Sequence, residues 1–438
     1  LLGVIYLIAF ASLWPQVRGL MGANGVAPAA ETLLAMHNDY GWGAYLDVPS
    51  LFWLVPKDAC LIALCGLGCL AAGLLALGLL VRWAALAAYI LYLSLVSIGE
   101  PFTSFQWDAL LLETGFLAIF AGSALLPLAY RFLLFRLMFE SGLVKLTSHD
   151  ENWRNLRALR YHFFTQPLPT PLAYYAQHAP DWLLDSATLA ALSIELVTPF
   201  ALFLPARRVR RVAVGLLVGL QMLIALTGNY AFFNLLTAAL CLWGLDEECY
   251  ARLKHWRPAF QARAAWVNVP VAALLALGLL QIFDLQPRIF RSFEIVNPYG
   301  LFAVMTTGRV ELIVEGSDDL VNWRAYSFRY KPGDVGRGLP LVAPYQPRLD
   351  WQMWFAALGG PQQNPWVRVL VYRLLAGQTE VLELLEPALF HKPPRAIRIQ
   401  AYVYSFTEAA KRQRDGKIWQ RSLLGTWLRP TSLSLEYQ

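Results

Sequence analysis

Charged side chains are scarce in this chain. Its 438 residues include 36 Lys and Arg and 30 Asp and Glu, only 15% of the whole, against roughly 25% in an ordinary soluble domain. With 57% hydrophobic residues and a mean hydropathy of +0.44, that scarcity excludes a protein solvated by water on every side. Cysteine is scarce as well. Cys60, Cys65, Cys69, Cys241 and Cys249 form neither a CxxC pair nor a zinc-ligand spacing, which argues against a dithiol redox enzyme and a zinc site. The acidic run VEGSDDLVNW lacks the spacing of an EF-hand and reads as a turn, so no metal is expected. No nucleic-acid-binding motif accompanies the net charge of +6. The absence of an inverted repeat counts against a transporter.

What the chain has instead is long apolar runs. They fall at about 1–14, 58–80, 83–99, 107–128, 131–147, 182–204, 212–228, 230–246 and 266–285, each approaching the roughly 20 residues of a membrane span. The opening LLGVIYLIAF has no initiator Met and no following cleavage pattern, so it reads as a truncated first span and not as a signal peptide. Arg82, then Arg131 and Arg136, then Arg207, Arg208, Arg210 and Arg211, then Arg252, Lys254, Arg257 and Arg263 occupy alternate connections. Those connections are the cytoplasmic ones by the positive-inside rule. The opposite side receives loops 15–57 and 148–181 and everything after Leu285.

From Gln286 the composition turns to short runs rich in Val, Ile, Tyr, Phe and Trp: RVELIVEG, WRAYSFRY, DWQMWFAA, WVRVLVYRLL and AIRIQAYVYSF. Separated by KPGD, GRGLP and LGGPQQNP, these read as strands. The expected architecture is a polytopic α-helical membrane bundle of about nine helices (1–285), followed by an extramembrane β-sandwich-like domain (286–438).

Ionisable residues inside the apolar runs are the candidates for function, because charge within a membrane is costly. Asp108, Glu113, Glu140, Lys145 and Glu195, with His162 in the outer loop, suggest a water-accessible cavity in which a desolvated Lys145 could serve as a base. The alternative is that these groups pair and hold the helices in register, or that Lys145 snorkels to the interface. Glu140 and Lys145 stand five positions apart, which turns them away from one another on a helix. Pro199, four residues after Glu195, should bend its helix. In the outer loop, FFTQPLPTPLAYYAQH carries Pro167, Pro169 and Pro171 and should be extended and stiff. Phe163, Phe164, Pro167, Pro169, Tyr174 and Tyr175 are therefore candidates to receive a client peptide, unless the loop folds back as a lid over the helix ends.

FQWDALLLETGFLAIF, FESGLVKLTSHDENWRNLRALRYHFFTQPLPTPLAYY, TGNYAFFN and SFEIVNPYGLFAVMTTGRVELIVEGSDD resemble, in the same order, the blocks that mark the lipase maturation factor family. The resemblance spans nearly the whole chain. It implies a chaperone of the endoplasmic reticulum membrane that helps dimeric secreted lipases fold and assemble, with its C-terminal domain in the lumen. Membrane lipids and secreted lipase clients are the implied partners, and no cofactor is expected. The short connections suggest a compact, bacterial member, which would sit in the cell inner membrane. SGLVKL with the later Trp153 is also similar, over some dozen residues, to the membrane domain of vitamin K-dependent γ-carboxylase. That similarity implies the rival reading, an enzyme in which Lys145 acts as base on a lipid-soluble cofactor such as a quinone.

Overall fold

The computed structural model describes residues 1–246, 248–249, 265–387, 390 and 392–433. The basic residues Arg252, Lys254, Arg257 and Arg263 lie outside the described residues. Every apolar run falls on helix: α1 (Leu2–Leu13), α2 (Asp58–Ala76), α3 (Val81–Ile98), α4 (Gln106–Ala118), α5 (Leu126–Thr147), α6 (Asp181–Leu196), α7 (Arg207–Thr227), α8 (Phe233–Cys241) and α9 (Asn268–Ile282).

Among the described residues, five segments are long and apolar enough to cross a membrane: Asp58–Ala76, Val81–Ile98, Asp181–Phe203, Arg207–Thr227 and Ala265–Ile282. The chain is a multi-pass membrane protein. The other four runs differ for physical reasons. Helices α1, α4 and α8 have 12, 13 and 9 residues, short of the roughly 20 needed to span alone. Helix α5 is long enough but carries Arg131, Arg136, Glu140 and Lys145. Pro199 acts as expected: α6 stops at Leu196 and tightens into the 3-10 turn Thr198–Phe203, because proline offers no N–H to an α-helical ladder.

Small residues set the close contacts. A Cβ on Gly68 of α2 would stand 2.2 Å from the Phe10 ring of α1, so only glycine lets that ring seat against the helix. Leu67 and Leu70, on the other side of α2, are exposed.

The C-terminal part contains one antiparallel sheet in the order β2-β1-β3-β4, with β1 Arg309–Ser317, β2 Arg324–Ala325, β3 Ala396–Phe406 and β4 Trp419–Thr431. The β1/β3 register runs from Arg309 opposite Tyr404 to Ser317 opposite Ala396. The expected sandwich is corrected here: among the described residues there is one sheet, and helices pack on it. DWQMWFAA and WVRVLVYRLL are not strands but belong to α10 (Arg348–Ala356) and α11 (Pro365–Leu375). Trp366, Val367, Leu370, Val371, Leu374 and Leu375 are the buried positions of α11, a spacing of three and four that is helical and not alternating. Pro365 at its first position is where proline suits a helix. WRAYSFRY supplies only the two residues of β2 and a bridge from Phe328 to Leu385.

One buried pair joins this part to the bundle. Arg348, at the start of α10, donates from Nη1 to Asp108 Oδ2 at 3.0 Å and from Nη2 to Oδ1 at 2.9 Å, and both side chains are fully buried. Its Nη1 also reaches the Phe102 carbonyl at 2.7 Å, and the Tyr92 hydroxyl donates to the same carboxylate. Gln16, just after α1, accepts the Arg348 backbone N–H at 2.9 Å and donates to the Gln346 carbonyl at 2.8 Å. Arg348→Met should therefore destabilise the protein by about 3–5 kcal/mol, since it leaves a buried carboxylate without its cation. Arg348→Lys should recover only part of that, because an ammonium cannot form the fork. Thermal unfolding in detergent measures both.

Candidate functional site

After α9 the chain does not leave the bundle. Residues 293–305 run as irregular backbone among α3, α4 and α5, and side chains of the bundle take up their N–H groups. Asn297 N–H donates to Glu113 Oε2 at 3.0 Å, Tyr299 N–H to Glu140 Oε2 at 2.9 Å, Gly300 N–H to Gln106 Oε1 at 3.1 Å and Met305 N–H to Asp150 Oδ2 at 3.1 Å. The Tyr299 hydroxyl adds a bond to Glu113 Oε2 at 2.8 Å, and Arg136 pairs with the other oxygen of that carboxylate. Arg136 also reaches Gln281 Oε1 at 3.0 Å and the Asn297 carbonyl at 3.3 Å. Trp153 Nε1 and the Ser148 hydroxyl donate to the carbonyls of Phe302 and Ala303. Irregular backbone is tolerated among membrane helices only when the protein supplies such partners.

Lys145 and Glu195 form the second centre. The Lys145 ammonium donates to both oxygens of Glu195, at 2.7 and 2.6 Å, so α5 is tied to α6 and Lys145 does not snorkel. Gly142, one turn earlier on α5, makes this possible. A Cβ there would lie 2.9 Å from Leu196 Cγ and 3.0 Å from Glu195 Cβ. The Trp153 ring faces the ammonium at 5.2 Å, a cation–π distance. Beside the pair lies a cavity of about 50 Å³, walled mainly by Trp107, Leu137, Met138, Ile224, Phe233 and Phe302.

The expected constellation is thus divided. Lys145 and Glu195 line the cavity; Asp108, Glu113 and Glu140 do not, each being engaged with Arg348, Arg136 or Tyr299. Glu140 and Lys145 have separate partners, as their spacing implied. His162 lies in the short helix Leu159–Thr165 of the connection between α5 and α6, outside the membrane-spanning segments. The Tyr230 hydroxyl stands 3.3 Å from its Nε2. Desolvation, and then the Lys145 charge, push its pKa down to about 4.

The proline-rich loop is packed over the helix ends. Arg309 of β1 donates to the carbonyls of Phe164 at 3.0 Å, Pro167 at 2.8 Å and Gln166. Trp354 Nε1 holds the Thr165 carbonyl at 2.7 Å, and Asn229 spans Leu168 and Pro340 at 3.1 and 3.0 Å. Phe163, Pro167, Pro169 and Tyr174 are buried and Phe164 is half-buried, while Tyr175 is exposed. Sequence reasoning missed Arg348, Arg309 and Tyr299, and Arg136, read there as part of a cytoplasmic connection, is instead buried within α5 against Glu113. The NPYG run between the last apolar run and β1 was the available signal for Tyr299.

The cavity beside the pair, about 50 Å³, has room for a few waters. To act as a base, Lys145 must first give up a proton, and with it the ion pair to Glu195. Lys145→Met alone should cost about 3–5 kcal/mol by stranding Glu195, and Lys145→Met with Glu195→Met should restore most of it, as a double-mutant cycle in thermal unfolding will read. His162 generates a pH dependence: its folded pKa of about 4 lies below the ordinary 6.5. Its contribution is complete above pH 6.5 and lost as pH falls toward 4. His162→Gln should flatten the fall of melting temperature across that window.

Comparison with known proteins bears on the whole chain. The profile of the lipase maturation factor transmembrane domain matches residues 1–252, and that of the lipase maturation factor C-terminal domain matches residues 295–429. Lipase maturation factor 2 of Xenopus laevis is 34% identical over 95% of this chain and 79% of its own length. The human lipase maturation factor 2 is 32% identical over 98% and 81%. Lipase maturation factor 1 of Mus musculus is 32% identical over 99% and 86%. No solved structure matches the chain. With both profiles matched in order and a relative 34% identical over 95% of the chain, the chain belongs to the lipase maturation factor family.

Proposed function

We propose that this protein is a membrane-embedded maturation factor that helps secreted lipases reach their folded, assembled state. The observation that carries the reading is where the bundle's charges go. Asp108, Glu113, Glu140, Lys145 and Glu195 each have a partner inside the protein, and each bond ties one segment of the chain to another. Charges used in this way build a rigid platform, and engagement of another molecule falls to exposed apolar surface, which is tolerant of varied partners. The carboxylase-like reading is not favoured, given the pairing of Lys145.

The finer reading places α1, α4, α5 and α8 across the bilayer with the five long spans, giving nine passes. Arg82 and Arg131 cap carbonyls of Ala121 and Trp243 at the same end of the bundle as the Arg207–Arg211 cluster, which supports a cytoplasmic position for that end. The sheet then stands on the lumenal or periplasmic side, where secreted clients fold, whether the membrane is that of the endoplasmic reticulum or a bacterial inner membrane. Strand β4 is an edge of the sheet, exposed on both faces at residues 420–424, with Leu423 and Leu424 60% and 61% accessible. An edge of that kind accepts an extended segment of another chain.

Co-expression with a secreted dimeric lipase, in cells lacking their own maturation factor, tests the reading through lipase activity in the medium. Leu423→Glu with Leu424→Glu should lower that activity several-fold while leaving the membrane part folded. Lys145→Met with Glu195→Met should leave it unchanged. Loss of activity in the Lys145/Glu195 pair variant, with unaltered thermal stability, would sink the maturation-factor reading in favour of chemistry at Lys145.

A further inference from the structure

Residues 29–57 precede α2 and fold as the helix Ala29–Tyr40, two short turns and the 3-10 turn Leu51–Leu54. One side of this segment is packed: Leu33, Ala44, Val48 and Phe52 are buried. The other side is apolar and open, with Tyr40, Trp42, Leu46, Leu51, Leu54 and Val55 all exposed, Trp42 and Leu54 at 83% and 79%.

The depth of the segment follows from its hydrogen bonds. The Ser50 hydroxyl donates to the Ser94 carbonyl at 2.8 Å, and the Leu51 N–H donates to the Ser94 hydroxyl at 3.0 Å. Ser94 lies four residues inside the end of α3 at Ile98, roughly 6 Å down the helix axis. Helix α3 has 18 residues, about 27 Å, which only just matches a hydrocarbon core of about 30 Å. The level of Ser94 is therefore within the acyl region, and Leu51, Leu54 and Val55 face outward beside it. The Tyr45 ring packs at a tilt against Trp53 with ring centroids 4.5 Å apart, and the Trp53 indole donates to the Val48 carbonyl at 2.9 Å. The aromatic turn is thus held rigidly at the helix ends. The helix Arg288–Ser292, which follows α9, packs on Ala44–Asp47, and exposed Phe283, Leu285 and Ile289 continue the apolar surface onto that side.

We propose that residues 40–55 form an interfacial foot seated in the leaflet on the side of the sheet, with Trp42 at the headgroup boundary and Leu51, Leu54 and Val55 among the acyl chains. Its occupant is zwitterionic lipid. Residues 29–57 contain Glu31, Asp39 and Asp47 against Lys57, and the adjoining helix adds Arg288 and Arg291, the latter paired with Asp284, so the surface has no basic excess for anionic headgroups and apolar insertion supplies the attachment. Tryptophan and tyrosine suit that position because they present an apolar ring and a polar edge.

The test uses the full chain in phosphatidylcholine nanodiscs, with Trp42, Leu54, Leu70 or Val321 replaced one at a time by benzoylphenylalanine, and mass spectrometry after illumination. Leu70 is the lipid-facing reference on α2, and Val321 is an exposed residue of the β1–β2 turn. Positions 42 and 54 should yield phosphatidylcholine adducts as abundant as position 70, unchanged when phosphatidylserine replaces part of the lipid, while position 321 yields none. Adducts at 70 without adducts at 42 and 54 overturn the proposal. So does capture of a secreted polypeptide by position 42 in cells in place of lipid, which would make the foot a client-docking surface.

Discussion

A stretch of chain that is neither helix nor sheet has no internal partners for its amide groups, and among membrane helices no water replaces them. Residues 293–305 face that constraint, and much of the bundle is arranged to meet it. Glu113, Glu140, Gln106 and Asp150 stand where the amides of Asn297, Tyr299, Gly300 and Met305 need acceptors. A carboxylate in such a place needs its own counter-charge, which Arg136 gives to Glu113. Arg136 in turn is steadied by Gln281 and by the carbonyl of Asn297. The chain of requirements begins with one irregular segment and ends with charges on α4 and α5 whose presence would otherwise be hard to justify in an apolar setting.

The same logic separates what could be read from the residues from what could not. Helices were legible because apolar runs report their own burial, and every one of the nine runs lies on a helix. Charges at Asp108, Glu113, Glu140, Lys145 and Glu195 stood out because their surroundings are apolar, and all of them proved to be buried. Their partners were not legible. Arg348 lies 240 positions from Asp108, and nothing local in RLDWQMWFAA distinguishes an arginine that enters the bundle from one that faces solvent. Strand readings failed where aromatic and β-branched content was allowed to outweigh spacing, as in WVRVLVYRLL, whose buried positions recur at the helical period.

The proline-rich loop shows that proline content says little about exposure. The run bends at residues 166–168 and makes a single bridge from Pro169 to Gly228, and carbonyls left free in such a run invite donors. Arg309, Trp354 and Asn229 supply them from elements distant in sequence. The loop is thereby converted from a free surface into a seam between the bundle and the sheet. The Trp419 ring lies 5.1 Å from the Arg309 guanidinium, so the seam extends to the strand whose outer edge is open.

Biosynthesis gives these long-range bonds a direction in time. The carboxylates of α4 and α5 are made before residues 293–305 and Arg348, which satisfy them. During synthesis the bundle must wait, with Asp108 and Glu140 lacking their eventual partners, until the chain has returned from α9 and delivered α10. The helical part is therefore not an independent anchor to which a sheet was appended, because the last third of the polypeptide completes the interior of the first two.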